Sequence, residues 1–549
     1  MLVLALLILV LAAITAPWTL IPGDNADGAG MRAHLHAIFE SGELLYDDEY
    51  AALGMSPLFA FVTDEGLISN HWPIGASFVQ APGWLLGRAA GSQLVGAGVS
   101  ERAATWDIPL LGLRSWALVV LVGIAILVLR CLRPRVGRQT ATLAVGALLL
   151  GTPLVYYAAE APERPHLWGF AAVAVLTSRW CAAIERPPDR ARLRDALELS
   201  VYAGLATAIR PQLAMLALLV VHERWLATRE LELGPRLARL ARDGLACASM
   251  FAIWPAMVVR MQEWMYGGLV DYQGEVSQQL RAFLLSTHHG ALVWCPVLVV
   301  GLLGISIGAA RRESGALLIV ALIAAQVWLD AGTREIQPYA VLGTRTWTGG
   351  TSFGPRKLLD AMPLLLPGVI WLHRWLAEQD SDARRKWQRR LATATVLAVI
   401  PTSLLSIAAW LDPRVCSNVL DGERLLIAMS LPFDLDAWTT MLRIRAVPMR
   451  VSLAVAALVG VPLSLALVVG TLERWSLVRA RWAWPLALGY GLIANAWMLH
   501  LQQRTEAIVE QDPERIEQAR ARLNPWHEAL VEEIPRHQAL LQARLGPGV

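Results

Sequence analysis

The sequence predicts an all-α protein, a polytopic integral membrane helical bundle of about 11–13 spans with a long first extracytoplasmic loop. Three observations predict it. Hydrophobic residues make up 55% of the 549 and charged residues only 17%, where a soluble chain carries about 25%. Mean hydropathy is +0.45. Apolar runs near the ~20 residues needed to cross a bilayer recur along the whole chain. A net charge of +3 gives no footing for nucleic-acid binding.

In order, the expected spans are 2–21, 108–130, 139–157, 166–184, 195–209, 212–223, 243–261, 290–310, 315–332, 358–374, 391–411, 450–471 and 482–500. The first, Met1 to Ile21, lacks a basic leader and reads as an uncleaved helix. The pair flanking Arg210-Pro211 is short on both sides, as two tilted spans or one broken helix. Gly75–Leu86 is apolar but short and holds Pro82, so it reads as a re-entrant or interfacial helix inside the loop 22–107, with Trp72 and Trp84 at headgroup level. Residues 1–500 form one membrane domain, and 501–549 a polar tail of short helices on the outer surface.

Cation placement sets the orientation. Of 48 Arg and Lys, 24 fall in 71 residues of alternate loops (130–138, 185–194, 223–242, 310–313, 373–390 and 472–481), which the positive-inside rule assigns to the cytoplasm. The first loop, Arg210 and the loops at 260–289 and 333–357 then share the outer face. Only Lys357 and Lys386 are lysines, which we read as the coding bias of a GC-rich bacterial genome. The five cysteines form no CxxC pair and read as small core residues.

Carboxylates delivered to a membrane surface invite a functional explanation. Asp24 and Asp27 follow the first span and open an expected amphipathic helix with Met31, Leu35, Ile38 and Phe39 on one face. Asp24 suits a general base, and either acid suits a helix cap. His34 and His36 point apart on a helix and read as surface residues. Asp47-Asp48-Glu49 reads as a solvated acidic run. His71, in Asn70-His71-Trp72-Pro73-Ile74-Gly75, is placed to touch a substrate. Glu160 and Glu163 emerge where a helix ends and could join Asp24 on a divalent cation, Mg or Mn, through oxygen ligands.

Arg210 stands alone in an apolar stretch, so it must pair or face water. A phosphate or a structural salt bridge are its two candidate partners. In Trp347-Thr348-Gly349-Gly350-Thr351-Ser352-Phe353-Gly354-Pro355-Arg356-Lys357 three glycines allow close backbone approach while Arg356 and Lys357 offer charge, as in a substrate-binding loop. Trp347 opens that loop. His288-His289 begins another span on the same face.

These residues together resemble the GT-C superfamily of membrane glycosyltransferases, in the manner of bacterial relatives of the protein O-mannosyltransferases and the lipid A aminoarabinose transferase. The resemblance rests on Gly23-Asp24-Asn25 after the first span, the long first loop, Asn70–Gly75, the second loop ending in His166, and Trp347–Arg356. It covers the layout of roughly residues 1–375. It implies an inverting enzyme of the bacterial inner membrane that takes sugar from a polyprenyl-phosphate donor to an envelope acceptor on the extracytoplasmic face. Asp24 would be the base, with Arg210 and Arg356 on phosphate. The family's Asp-Glu pair is Asp24-Asn25 here, which leaves the base without its neighbouring acid. Two rivals differ in kind: a transporter or flippase of lipid-linked saccharides, marked by ionisable residues in mid-span, and a non-catalytic envelope-assembly protein.

Overall fold

A computed structural model describes residues 26–53, 61–70, 72–96, 98–187, 193–268, 280–287, 289–332, 354–411, 415, 422–438 and 483–525. Helices dominate them, beyond one isolated bridge between Val62 and Ile68. The expected spans 2–21 and 450–471 lie outside the described residues.

The first-loop helices are α1 (Ala26–His36, prolonged by a π-turn over Ala37–Ser41), α2 (Asp47–Leu53) and α3 (Gly75–Val95). Then come α4 (Ile108–Leu150), α5 (Leu154–Ala159), α6 (His166–Ile184), α7 (Leu193–Ile209), α8 (Ala217–Ala227) and α9 (Leu233–Tyr266). After these follow α10 (Leu280–Leu285), α11 (Ala291–Trp294), α12 (Leu298–Ala310), α13 (Ala316–Gly332), α14 (Arg356–Leu359) and α15 (Leu366–Ala377). The last are α16 (Ser381–Leu411), α17 (Gly422–Ser430) and α18 (Ala483–Gln511).

The stretches 103–150, 166–184, 233–266 and 381–409 are long and apolar enough to cross a membrane. The first is two helices joined at Gly137, whose φ of 76° and ψ of 164° suit glycine alone, in keeping with two expected spans here. The expected loop 130–138 therefore shrinks to a kink. Arg135 holds this bend by donating to Cys131 O and pairing with Glu185 at 2.6 Å.

Arg210 ends α7 in an extended conformation (φ −146°, ψ 109°), as a residue before proline must. A 3₁₀ turn over Pro211–Leu216 follows, and α8 folds back against α7 and α6. The pair is thus two short helices rather than one broken rod.

α3 is a correction in length. It runs 21 residues, past Leu86, because Gly83, Gly87 and Gly91 lie on the face that meets α4. A Cβ on Gly87 would stand 2.5 Å from Ile108 O, and one on Gly83 would stand 2.9 Å from Gly112 O. The seam is backbone against backbone, as small-residue stripes permit. Trp84 and Trp72 are both buried against protein, Trp84 completely. Trp72 lies over Gly30, where a Cβ would come within 2.0 Å of its ring.

α1 buries its expected face of Met31, Leu35 and Ile38, and its other side as well. His34 is wholly enclosed between Tyr46 Oη and Trp72 O, each at 2.9 Å, so it is no surface histidine. His36 stacks on Trp106 and meets Glu49 at 2.8 Å. Glu49 is buried too, while Asp48 is exposed, so the acidic run is a helix start with one member turned inward.

Residues 501–525 pack on the first loop. Thr505 Oγ1 accepts from Leu44 N, Arg515 grips Asp47 at 2.7 Å, and Asn524 exchanges hydrogen bonds with the Val62 backbone. At the opposite end of the bundle ion pairs join the helix termini: Arg374 with Glu185 and Glu313, and Arg311 with Glu378.

Candidate active site

Four stretches separated in sequence meet at one end of the bundle. The segment before α3 packs on the end of α7, where a Cβ on Gly75 would touch Ala208 O. Gln80 of α3 donates to Pro162 O at 3.3 Å and Glu163 O at 2.8 Å, which ties the first loop to the second. Trp168 Nε1 also donates to Pro162 O. The start of α6 and the turn after α14 then close on Arg210.

Arg210 is buried, and its partner is Asp360, with Nη1 2.5 Å from Oδ2. Nη1 also donates to His166 Nδ1 at 2.7 Å. Guanidinium only donates, so that nitrogen accepts and the imidazole proton sits on Nε2. With its oxygen facing the guanidinium, the Gln212 amide accepts from Arg210 Nε at 2.8 Å and from Nη2. Gly169 of α6 gives Asp360 its place: a Cβ there would stand 2.9 Å from Oδ1. Asp330 of α13 lies within electrostatic reach of Arg210, Asp360 and Lys357, and accepts from Gln326 Nε2 at 2.9 Å. Two acids so buried need both neighbouring cations, Arg210 and Lys357, to offset their charge. Of the two partners expected for Arg210, the geometry supplies the salt bridge.

Arg356 and Lys357 open α14 in the same neighbourhood, after Gly354 at φ 62°. Both are half-buried. Glu163 faces the buried guanidinium of Arg32, which also senses Arg114 and Asp107. Burial pulls the Arg32 guanidinium below its ordinary value, and the Glu163 charge acts against that. Glu160 is half-buried at the end of α5. Among the described residues no group of three or more His, Cys, Asp or Glu is placed to hold a metal ion, and Glu163 is already set against a cation. The divalent-cation site expected from sequence also includes Asp24, which lies outside the described residues.

Asp24, His71 and Trp347 lie outside the described residues, as does His288. Asp27 falls in the first turn of α1 by its backbone, three residues after Asp24. His289 is buried against Trp294 and belongs to the core.

Sequence reasoning missed Asp330 and Asp360. Each is a lone acid in an apolar run, Trp328-Leu329-Asp330-Ala331 and Leu358-Leu359-Asp360-Ala361. That is the same signal that singled out Arg210.

No family model matches the chain, and no curated protein does. Among solved structures it is similar to ArnT from Cupriavidus metallidurans, crystallised in the apo state, at 15% identity and a TM-score of 0.44. The match covers 91% of this chain and 76% of that one.

Proposed function

We propose that the protein is an inverting glycosyltransferase of the bacterial inner membrane. It moves a sugar from a polyprenyl-phosphate donor to an envelope acceptor, whether lipid, glycan or protein, on the extracytoplasmic face. One observation carries the reading beyond its sequence motifs: the second loop, Arg210 and the Gly354–Asp360 stretch converge with the first loop at one end of an apolar bundle. A lipid-linked donor needs this arrangement, with a polar centre at a bilayer surface and apolar helices beneath it.

In the proposed step the acceptor hydroxyl attacks the anomeric carbon from the face opposite the phosphate. Asp24 takes its proton as the new C–O bond forms. The old C–O bond breaks with both electrons leaving on polyprenyl phosphate. Arg356 and Lys357 bind the phosphate as its charge grows. Arg210 shapes the floor of the site, its own donors being directed to Asp360, His166 and Gln212. Asp27, His71 and Trp347 are assigned to the sugar and acceptor.

The test uses the full chain in liposomes with a polyprenyl-phosphate sugar and an envelope extract, reading released polyprenyl phosphate. Asp24→Asn should lose about 10²–10⁴-fold in turnover, the range for removing a general base, while still retaining the lipid-linked sugar. Wild-type turnover by that variant removes Asp24 from the chemistry. One observation favours a transporter instead, namely acids and a base buried between apolar helices. Movement of intact lipid-linked saccharide across the liposome bilayer, with no sugar transferred, would decide for it.

A further inference from the structure

The end of the bundle remote from Arg210 carries a basic cup on the first turns of α16. Asp382, Arg385, Lys386, Arg389 and Arg390, all exposed on this one helix, border an open surface hollow of about 460 Å³. Arg385 is paired with Asp382 at 2.5 Å, and the Arg390 guanidinium stands 5.6 Å from the centre of the Trp387 ring. Lys386 and Arg389 have no acidic partner among the described residues. Trp387 makes an edge contact with Trp375 of α15, two rings whose apolar bodies and N–H groups suit a membrane interface.

A second hollow lies further along the same helix. Val396, Val399, Ile400, Ser403 and Leu404 face Gly146, Ala147 and other apolar residues of α4 across a groove of about 310 Å³. The two hollows share one face of α16. Asp382, Arg385, Lys386 and Arg389 recur fourteen residues on as Val396, Val399, Ile400 and Ser403. Fourteen residues are close to four whole turns, so the groove stands directly in line with the cup. From Arg389 the groove begins about 10 Å along the axis and ends about 22 Å along it. Half of a hydrocarbon core is about 15 Å, so this is the depth of one leaflet's acyl chains.

We propose that α16 and α4 hold one anionic glycerophospholipid, its phosphodiester headgroup in the cup and an acyl chain in the groove. Charge selects the headgroup: unpaired Lys386 and Arg389 favour a net-negative lipid over a zwitterionic one. Length and direction select a lipid over a free anion, because a soluble phosphate has no use for the groove. The site stands at the other end of the molecule from the proposed transfer chemistry and does not depend on it. Its role is to fix the slope of α16 against α4, where Thr402 Oγ1 also donates to Gly151 O and Trp294 O.

Native mass spectrometry of the full chain in detergent tests the proposal, with phosphatidylglycerol and phosphatidylcholine titrated in parallel. The wild type should retain one phosphatidylglycerol in preference to phosphatidylcholine. K386Q/R389Q, two exposed substitutions, should lose that preference by on the order of thirtyfold, about 1 kcal/mol for each of the two charges removed. A147F, which fills the groove from α4, should weaken both lipids alike. Equal retention by wild type and both variants overturns the proposal. So does inorganic phosphate that displaces the lipid, which leaves an anion site only, or preferential retention of added polyprenyl phosphate.

Discussion

Arg210 and Asp360 hold each other in surroundings where neither charge could stand alone. Removing one partner of a buried pair costs about 3–5 kcal/mol, because the other is left uncompensated, whereas replacing both by apolar groups of similar volume is often neutral. Arg210→Met and Asp360→Leu should therefore each lower the unfolding midpoint in detergent strongly, and the double variant should recover part of the loss, since Asp330 then keeps Lys357 but not Arg210 as a counter-charge. Simple additivity of the two losses would mean that the 2.5 Å contact is not the coupling. Sugar transfer by a recovered double variant would also show whether Arg210 lends the proposed site potential or only shape. Half of this cluster was legible: an isolated charge in an apolar run demands a partner, and that rule, applied to acids as well as to Arg210, points to Asp330 and Asp360. His34 was not legible in that way. Its enclosure depends on Tyr46, twelve residues away, and on the Trp72 carbonyl, thirty-eight away, and no local pattern records those contacts.

At the scale of helices, glycine acts for two different reasons, and substitution separates them. At Gly137 a Cβ would meet nothing within 4 Å, so the demand is purely one of backbone conformation. At Gly87 the backbone is helical and the demand is space, with Ile108 O 2.5 Å from a Cβ. Gly137→Ala should cost about 1–3 kcal/mol through strain and leave the α3–α4 seam as it is. Gly87→Ala should cost at least as much and also push α3 away from α4, which hydrogen exchange over residues 80–95 would register as faster opening. If exchange there is unchanged in Gly87→Ala, the close approach is not what seats α3. The helix-scale reading succeeded for α6, whose bounds match the expected span, because nothing interrupts its apolar run. It stopped α3 short at Leu86, since Arg88 ends the apolar run even though the four-residue glycine spacing continues. In α4 it saw two spans, and two helices do meet at the non-helical Gly137, with a break shorter than the expected loop 130–138.

On the scale of the whole chain, the last described residues fasten the first ones. Arg515 reaches Asp47 through two hydrogen bonds of 2.7 Å and Glu43 through one of 3.1 Å. The Asp47 hydrogen bonds, with help from the Glu43 charge, raise the Arg515 guanidinium above its ordinary value against the pull of burial. Arg504 lies against Gly42, where a Cβ would come 2.7 Å from Nη1, and Asn524 and Val62 exchange hydrogen bonds of 2.8 and 3.1 Å. The polar tail was legible as helices with cations at helical spacing, but its partner was not, because 468 residues separate Arg515 from Asp47. The tail thus works as a strap across α2 and the residues on either side of it, in the loop that follows the proposed base at Asp24. A part-exposed bidentate pair contributes about 1 kcal/mol, so Arg515→Ala should loosen the strap and not release it. Chain ending at Gln511 loses Arg515 and Asn524 together and should release it. Hydrogen exchange over residues 43–53 is the measurement: modestly faster in Arg515→Ala, much faster in the shortened chain, with α6 and α7 unchanged in both. Undiminished protection of 43–53 in the shortened chain would mean that the first loop is seated by its own burial of Tyr46, Tyr50 and Leu53, and that the strap holds nothing.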